Sequence, residues 1–515
     1  NDSILYKNLN IHYYDKLQVR PNMLYRWMNY QQFVRSKQMR ASNRTRLYSQ
    51  YRQEQVQEKL SQLGIFSYMD MQYAPRDTTA ACDTLDVTMQ ATFAKPLDAE
   101  LELNVVTKSN DQTGPGASFG VTRNNVFGGG ESWNVKLKGS YEWQTGGGEK
   151  SSLMNSWEMG LSTSLTFPRV VFPHLGKREF DFPATTTFRL YINQLNRAKY
   201  YKLLSFGGNA TYDFQPSRTS RHSITPFKLT FNVLQHQSED FKEIAEANPA
   251  LYVSLRNQFI PAMEYTYTYD NASGRRIKNP IWWQSTVTSA GNITSLIYRA
   301  FGKPFNEEDK SLLGAPFAQF VKLNTELRHL WNIDKNNAIA SRMAVGALFT
   351  YGNATIAPYS EQFYVGGANS IRAFTVRSVG PGGYHPEEGK YSYLDQTGTF
   401  RFEANVEYRF RIFKSFWGAT FLDAGNVWLL RKDRKLLADG KEARPNSQLR
   451  LKTFPKQIAL GTGVGIRYDM DILVFRLDFG IPLHLPYDTE RSGYYNVTGA
   501  FFKNLGIHFA IGYPF

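Results

Sequence analysis

Long apolar runs are missing from this 515-residue chain. No stretch approaches the ~18 apolar residues of a membrane-spanning helix, and the mean hydropathy is −0.44. A helical membrane protein is thereby excluded. Cysteine is nearly absent: Cys82 stands alone, so no internal disulfide can form, and it reads as a free thiol in a loop. The net charge of +15 raises nucleic acid and anionic lipid as partners. Yet no block of five or more Lys/Arg, no zinc-finger spacing and no basic helix is present. That argues against nucleic acid and leaves anionic lipid headgroups as the better match. The eight histidines are scattered without metal-ligand spacing, and no Ser/His/Asp arrangement stands out. No metal, no cofactor and no enzymatic activity are expected. "GTGVGI" has glycines at Gly461, Gly463 and Gly465, but they alternate on one strand face and no helix follows, unlike a nucleotide loop. Asn1 opens no charged-then-apolar leader. The leader has been removed or the chain is a fragment; both are compatible with export.

Aromatics, by contrast, make up 15% of the chain, with 31 Tyr and 36 Phe. High aromatic content with low mean hydropathy suits a transmembrane β-barrel, in which only every second residue faces lipid. Residues 1 to about 95 follow a different grammar. "RPNMLYRWMN" offers Pro21 as a helix start, with Leu24, Trp27 and Met28 on one face. "YSQYRQEQVQEKLSQLG" reads as a second helix, with Val56, Leu60 and Leu63 aligned and Gly64 to end it. "FSYMDMQYAP" and "DTLDVTMQATF" alternate as strands. With an opening strand near "LNIHYY", the expected order is β-α-α-β-β, a small module of helices on a short sheet.

From Leu97 onward helical periodicity is absent and period-two alternation takes over. In "FRFEANVEYRFRI", Phe400, Phe402, Ala404, Val406, Tyr408, Phe410 and Ile412 share one face. Arg401, Glu403, Asn405, Glu407, Arg409 and Arg411 share the other. Such a strand is much longer than the ordinary ~5–6 residues. Length, charge on the polar face and aromatics near strand ends favour a barrel with a wet lumen over a soluble sandwich. At about 26 residues per strand with its loop, roughly sixteen antiparallel strands are expected over residues 96–515. The closing "NLGIHFAIGYPF" alternates from Leu505 to Phe515, as a last strand whose aromatics face lipid and whose small or polar residues, His508 among them, face the lumen. A passive porin would not need the module in residues 1–95.

Long irregular stretches interrupt the strands, above all the Gly- and Pro-rich segment near 361–398. It carries Phe363, Tyr364, Ile371 and Phe374, which seek a packing surface. Arg372 lies between apolar neighbours, and a guanidinium so placed wants a carboxylate. Two lumen candidates are Glu407, on its strand's charged face, and Asp423 in "FLDAGNVW", where Gly425 permits close backbone approach.

"GGANSIRAF" followed by "VGPGG" resembles the inward-folded loop of the BamA/TamA family of outer-membrane insertases. Ser370, Ile371, Arg372, Ala373 and Phe374 are the tip residues, with Ala373 where the family has Gly. "FLDAG" resembles the family's strand motif at Phe421, Asp423 and Gly425, and "NVEYRF" the strand that supplies Glu407. "GTGVGIRYDMDILVFRLDFGIPL" resembles the penultimate hairpin, and Phe515 the family's terminus. Residues 1–95 resemble one POTRA module.

The resemblance implies an outer-membrane barrel with a periplasmic module, whose Arg372 pairs with Asp423 and Glu407 to pin the loop. It also implies a lateral seam between a first strand (Leu101, Leu103, Val105) and a last strand (Gly506, Phe509, Gly512, Phe515). Glycines and Pro514 weaken that last strand. Unfolded β-barrel clients would pair there, with outer-membrane lipids around it and periplasmic or lipoprotein accessory subunits as further partners. A two-partner-type secretion pore is the alternative; it would carry an N-terminal plug helix and two POTRA modules.

Overall fold

The computed structural model describes residues 2–28, 50–77, 79, 82, 84–107, 112–144, 156–171, 184–197, 201–239, 242, 258–273, 277–302, 304, 311–312, 315–352, 357–358, 361–386, 396–432, 442–470 and 474–515. The N-terminal part runs β1 (Asp2–Tyr6), β2 (Leu9–Tyr13), α1 (Pro21–Met28), α2 (Gln50–Gln62), β3 (Phe66–Pro75) and β4 (Leu85–Phe93). The expected order thus has an extra strand in front. β2 pairs with β1, and β3 pairs with β4, as two separate hairpins. Ile11 of β2 still reaches the helices, packing with Val19, Met23, Leu24 and Ile65. Val56 and Leu60 of α2 pack on Met71 of β3.

This part seats on the turn that follows Asn124, between the second and third strands of the large sheet. The Arg20 N–H donates to the Gly128 carbonyl at 2.7 Å, and Asn125 Nδ2 donates to the Gln18 carbonyl at 2.8 Å. Glu131 is buried there, accepting the Gly129 N–H at 2.8 Å and standing 3.5 Å from Arg169.

A single 16-stranded antiparallel sheet follows. Its first nine strands are β5 (Leu97–Thr107), β6 (Gln112–Asn124), β7 (Ser132–Gln144), β8 (Ser156–Phe167), β9 (Ala184–Arg197), β10 (Tyr201–Phe214), β11 (Ser220–Gln237), β12 (Gln258–Asp270) and β13 (Ile281–Ala290). After α3 (Asn292–Ala300) and a pair of two-residue strands, β14 (Ser311–Leu312) and β15 (Ala315–Pro316), the sheet resumes. Its last seven strands are β16 (Phe320–Asn332), β17 (Asn337–Thr350), β18 (Phe400–Phe413), β19 (Phe416–Trp428), β20 (Ala459–Asp469), β21 (Val474–His484) and β22 (Gly506–Ile511). Each pairs with its neighbour in sequence order. Among the described residues no helix is long and apolar enough to cross a membrane.

The sheet is inside out relative to a soluble protein. On β18, Glu403, Asn405 and Glu407 are buried, while Val406 is 47% and Ile412 58% exposed. On β5, Leu101 and Leu103 are 66% and 74% exposed. A wall with apolar residues outward and charges inward is the transmembrane-barrel pattern. The wall curls around one segment. Residues 361–386 touch β16 through Lys322–Glu361, β18 through Ser370–Glu403, β19 through Arg372–Asp423, β21 through Arg476–Ala368 and β22 through His508–Arg372. Its apolar side chains Phe363, Val365, Ile371, Phe374 and Val379 form a core with Phe320, Leu348, Val427 and Ala459 of the strands.

Two expectations are corrected. Helical periodicity does not vanish after Leu97: α3 is a helix in the segment before β16. The last strand is also shorter than its alternation suggests. β22 stops at Ile511, and Gly512 at φ 86° turns the chain. Ile507 and Phe509 remain 59% and 56% exposed on the outer face. Tyr513 and Phe515 instead bring their rings to Arg409, 4.3 and 5.7 Å from its guanidinium carbon. Alternation reports side-chain parity and is blind to one glycine leaving the strand region.

Candidate functional site

Lumen-facing parity brings charged residues of four adjacent strands, β18 to β21, onto the loop tip. Asp423 accepts three bonds from Arg372: backbone N–H at 3.0 Å, Nε at 2.8 Å and Nη2 at 2.9 Å. That two-pronged fit is what a planar guanidinium offers a carboxylate. Arg372 Nη1 also donates to Glu407 Oε2, and the guanidinium lies over the Phe421 ring at 3.5 Å. Both carboxylates and Arg372 are fully buried. Removing one partner from such a group strands a buried charge.

The structure also places in this cluster Arg342, Arg467, Arg476 and Asp478, which sequence reasoning did not single out. Arg467 of β20 bridges Glu407 at 3.0 Å and Asp478 of β21 at 2.6 Å. Arg409 donates to Glu407 at 2.7 Å. Arg476 donates to Asp478 at 3.0 Å and to the Ala368 carbonyl at 2.8 Å, and bonds the Asn369 side chain. Asn405 stitches the Ser370 carbonyl (2.8 Å) to Asp423 (2.9 Å). Ser370 Oγ donates to Glu403 at 2.6 Å, which also holds Arg342 at 3.2 Å. Parity along "GIRYD" and "FRLDFG" already puts Arg467, Arg476 and Asp478 inward. Which of them meets the loop depends on how the wall curls.

Glycines make room for the tip. A Cβ on Gly480 would lie 2.7 Å from the Arg372 carbonyl oxygen, and one on Gly461 would lie 2.3 Å from Ala373 Cβ. Gly425 lies so close to β18 that a Cβ would sit 2.5 Å from the Phe402 carbonyl. Ala373 is buried and its φ is not among the positive ones, so the tip needs no glycine there.

The cluster reaches the last strand. His508 Nε2 bonds the Arg372 carbonyl at 2.6 Å, and Arg409 Nη2 donates to the Phe515 carbonyl at 3.2 Å. Gly506 lies against the same Arg372 carbonyl, 3.1 Å from where its Cβ would be. β22 pairs with β21 from Phe475↔Ile511 to Gly480↔Gly506. On its other side, among the described residues, no register joins it to β5. β5, with Leu101, Leu103 and Val105, pairs only with β6 there. Among the described residues, each of these edge strands thus carries a ladder on one side only, leaving its other side open to a further strand.

The crystal structure of BamA from Haemophilus ducreyi lacking POTRA domains 1–3 is similar with a TM-score of 0.58 at 13% identity, over 96% of this chain and 81% of that one. CdiB from Acinetobacter baumannii is similar with a TM-score of 0.45 at 12% identity, over 85% and 66% of the two chains. CdiB from Escherichia coli gives 0.41 at 14% identity, over 89% and 69%. A family model, the Omp85 superfamily domain, matches residues 125–515, three quarters of the sequence and every strand from β7 onward, and the chain belongs to the Omp85 superfamily.

Proposed function

We propose that this protein is an outer-membrane assembly factor that inserts β-barrel clients through a seam between β5 and β22. Residues 1–95 serve as its periplasmic POTRA-like module, and residues 96–515 are the membrane part. The observation that carries this reading is the pair of edges left without a shared register. In hydrocarbon an unsatisfied backbone N–H or C=O is costly, so such an edge accepts an incoming strand. The family and the barrel with charged lumen support an outer-membrane insertase or translocator in general. The plugged lumen beside β18–β22 favours a lateral route over a central one. Arg372, Asp423 and Glu407 hold the loop tip, and His508 and Arg409 extend that hold to the last strand. Outer-membrane lipids surround the wall, and unfolded β-barrel proteins are the clients.

Sealing the seam tests the reading. In a Cys82→Ser background, cysteine pairs are scanned from Leu101–Val105 against Gly506–Phe509. Oxidation should stop client insertion into proteoliposomes, and reduction should restore it. Insertion at full rate through a disulfide-sealed seam would overturn the proposal, and export continuing through the sealed barrel would identify a secretion pore.

A further inference from the structure

We propose that α3 is an interfacial helix, lying in the membrane leaflet distal to the N-terminal module with its apolar stripe among lipid acyl chains. This rests on the membrane reading of the barrel and adds a lipid contact outside the seam and the lumen.

The two faces of α3 are inverted relative to a helix in a water-soluble protein. In "GNITSLIYRAF", Ile293, Leu296, Ile297, Ala300 and Phe301 fall at i, i+3, i+4, i+7 and i+8, one stripe of a helix. In a water-soluble protein that stripe is buried. Here Ile293, Leu296, Ile297 and Phe301 are 42%, 59%, 51% and 83% exposed, while Thr294 and Ser295 are buried at 6% and 0%. Small polar side chains face the protein and branched apolar ones face away. The barrel wall shows the same inversion, and α3 is continuous with it. β13 ends at Ala290, and Trp283 and Val287 on its outer face are 40% and 39% exposed.

The helix is also held in place. The Gly291 N–H donates to the Pro261 carbonyl of β12 at 2.8 Å. Gly291 has φ 71°, and a Cβ there would meet the Ala318 carbonyl at 2.6 Å, so this turn into the helix requires glycine. On the protein side the Tyr298 ring meets Phe317, 6.0 Å between centroids.

Depth follows from topology. β13 is the ninth strand of the sheet and runs in the same direction as β5, away from the rim where the N-terminal part is seated. α3 therefore lies at the opposite rim, where an amphipathic helix can lie along the headgroup–acyl boundary. Arg299, exposed in the last turn, flanks the stripe and is long enough to reach lipid phosphates. Continuity with the lipid-facing wall is what favours lipid over a protein partner as the occupant.

The test uses the full chain in a Cys82→Ser background, with one bimane-labelled cysteine at a time: Leu296→Cys or Phe301→Cys on the helix, Leu327→Cys on the outer wall. Each protein is reconstituted into phosphatidylcholine vesicles with or without brominated acyl chains. Bromolipid should quench the helix probes to within about twofold of the wall probe, with iodide quenching at least about threefold weaker than for free dye. Ile293→Ser/Ile297→Ser should return the Phe301→Cys probe to iodide. Three outcomes would overturn the proposal while the wall probe is still quenched by bromolipid. The helix probes could be open to iodide, as in water. They could be shielded from both quenchers, as under a second copy or another protein. They could also be unmoved by the serine pair. A wall probe insensitive to bromolipid would instead sink the membrane reading itself.

Discussion

The strands β5–β8 and β17–β22 obey one alternating pattern and yet build two different interiors. Near β5 the lumenal ion pairs are wet: Lys136–Glu102 and Lys138–Glu158, at 3.0 and 2.6 Å, keep 35–50% of their side-chain surface exposed. Near β22 the corresponding charges are buried under the loop, and four guanidiniums (Arg372, Arg409, Arg467, Arg476) share three carboxylates (Glu407, Asp423, Asp478). Parity puts a charge inward; the loop decides whether that charge is worth little or much. Exposed pairs contribute only ~0.2–1 kcal/mol. A buried pair broken on one side costs ~3–5 kcal/mol. The two edge strands therefore rest on unlike supports: β22 is braced from within through His508 and Phe515, whereas β5 borders the wet side.

The largest effect is expected at the loop tip. Arg372→Ala removes the guanidinium that Asp423 and Glu407 share, and should cost about 3–5 kcal/mol. Thermal unfolding in detergent should shift down, and limited proteolysis should cut the 361–386 loop while client insertion falls. A variant with normal loop resistance and full activity would show that the buried network does not hold the loop. A middle-sized effect is expected for His508→Ala, which deletes one bond to the Arg372 carbonyl, about 0.5–1.5 kcal/mol. Hydrogen exchange should quicken in β22 and stay unchanged in β18 and β19. Equal exchange in all three strands would separate the loop from the seam. The smallest effect is expected on the wet side. Lys138→Ala should change stability by no more than about 1 kcal/mol, measured by the same unfolding assay. A loss as large as that of Arg372→Ala would erase the distinction between the two interiors.

Much of this was legible. "FRFEANVEYRFRI" announces its two faces residue by residue, and the barrel class and strand number follow from such segments. Arg372, Glu407 and Asp423 could be named as a cationic tip and candidate partners, because a charge flanked by apolar residues is rare enough to notice. Other features were hidden for physical reasons. α3 falls in the region read as free of helical periodicity: its stripe of Ile293, Leu296, Ile297, Ala300 and Phe301 belongs to a helix of only nine residues between long strands, too short to stand out from their alternation. Arg467, Arg476 and Asp478 lie on the lumen face by parity, but their meeting with Ala368, Asn369 and Glu407 is set by curvature, which a period-two pattern does not encode. The kink at Gly512 was missed because the letters go on alternating after the backbone has turned. The pairing of β2 with β1 was missed because an apolar strand does not name its partner.

The shortness of β22 has a mechanical consequence. Six residues at ~3.4 Å each reach ~20 Å along the strand, and a tilted stave covers still less of the bilayer normal. The apolar band of such barrels is ~25 Å tall. In the membrane reading proposed above, lipid beside this stave is compressed to match the protein, and mismatch of that kind costs fractions of a kcal/mol per Å. On the proposed seam reading, the oily barrier is thinnest, and most easily parted, beside β22.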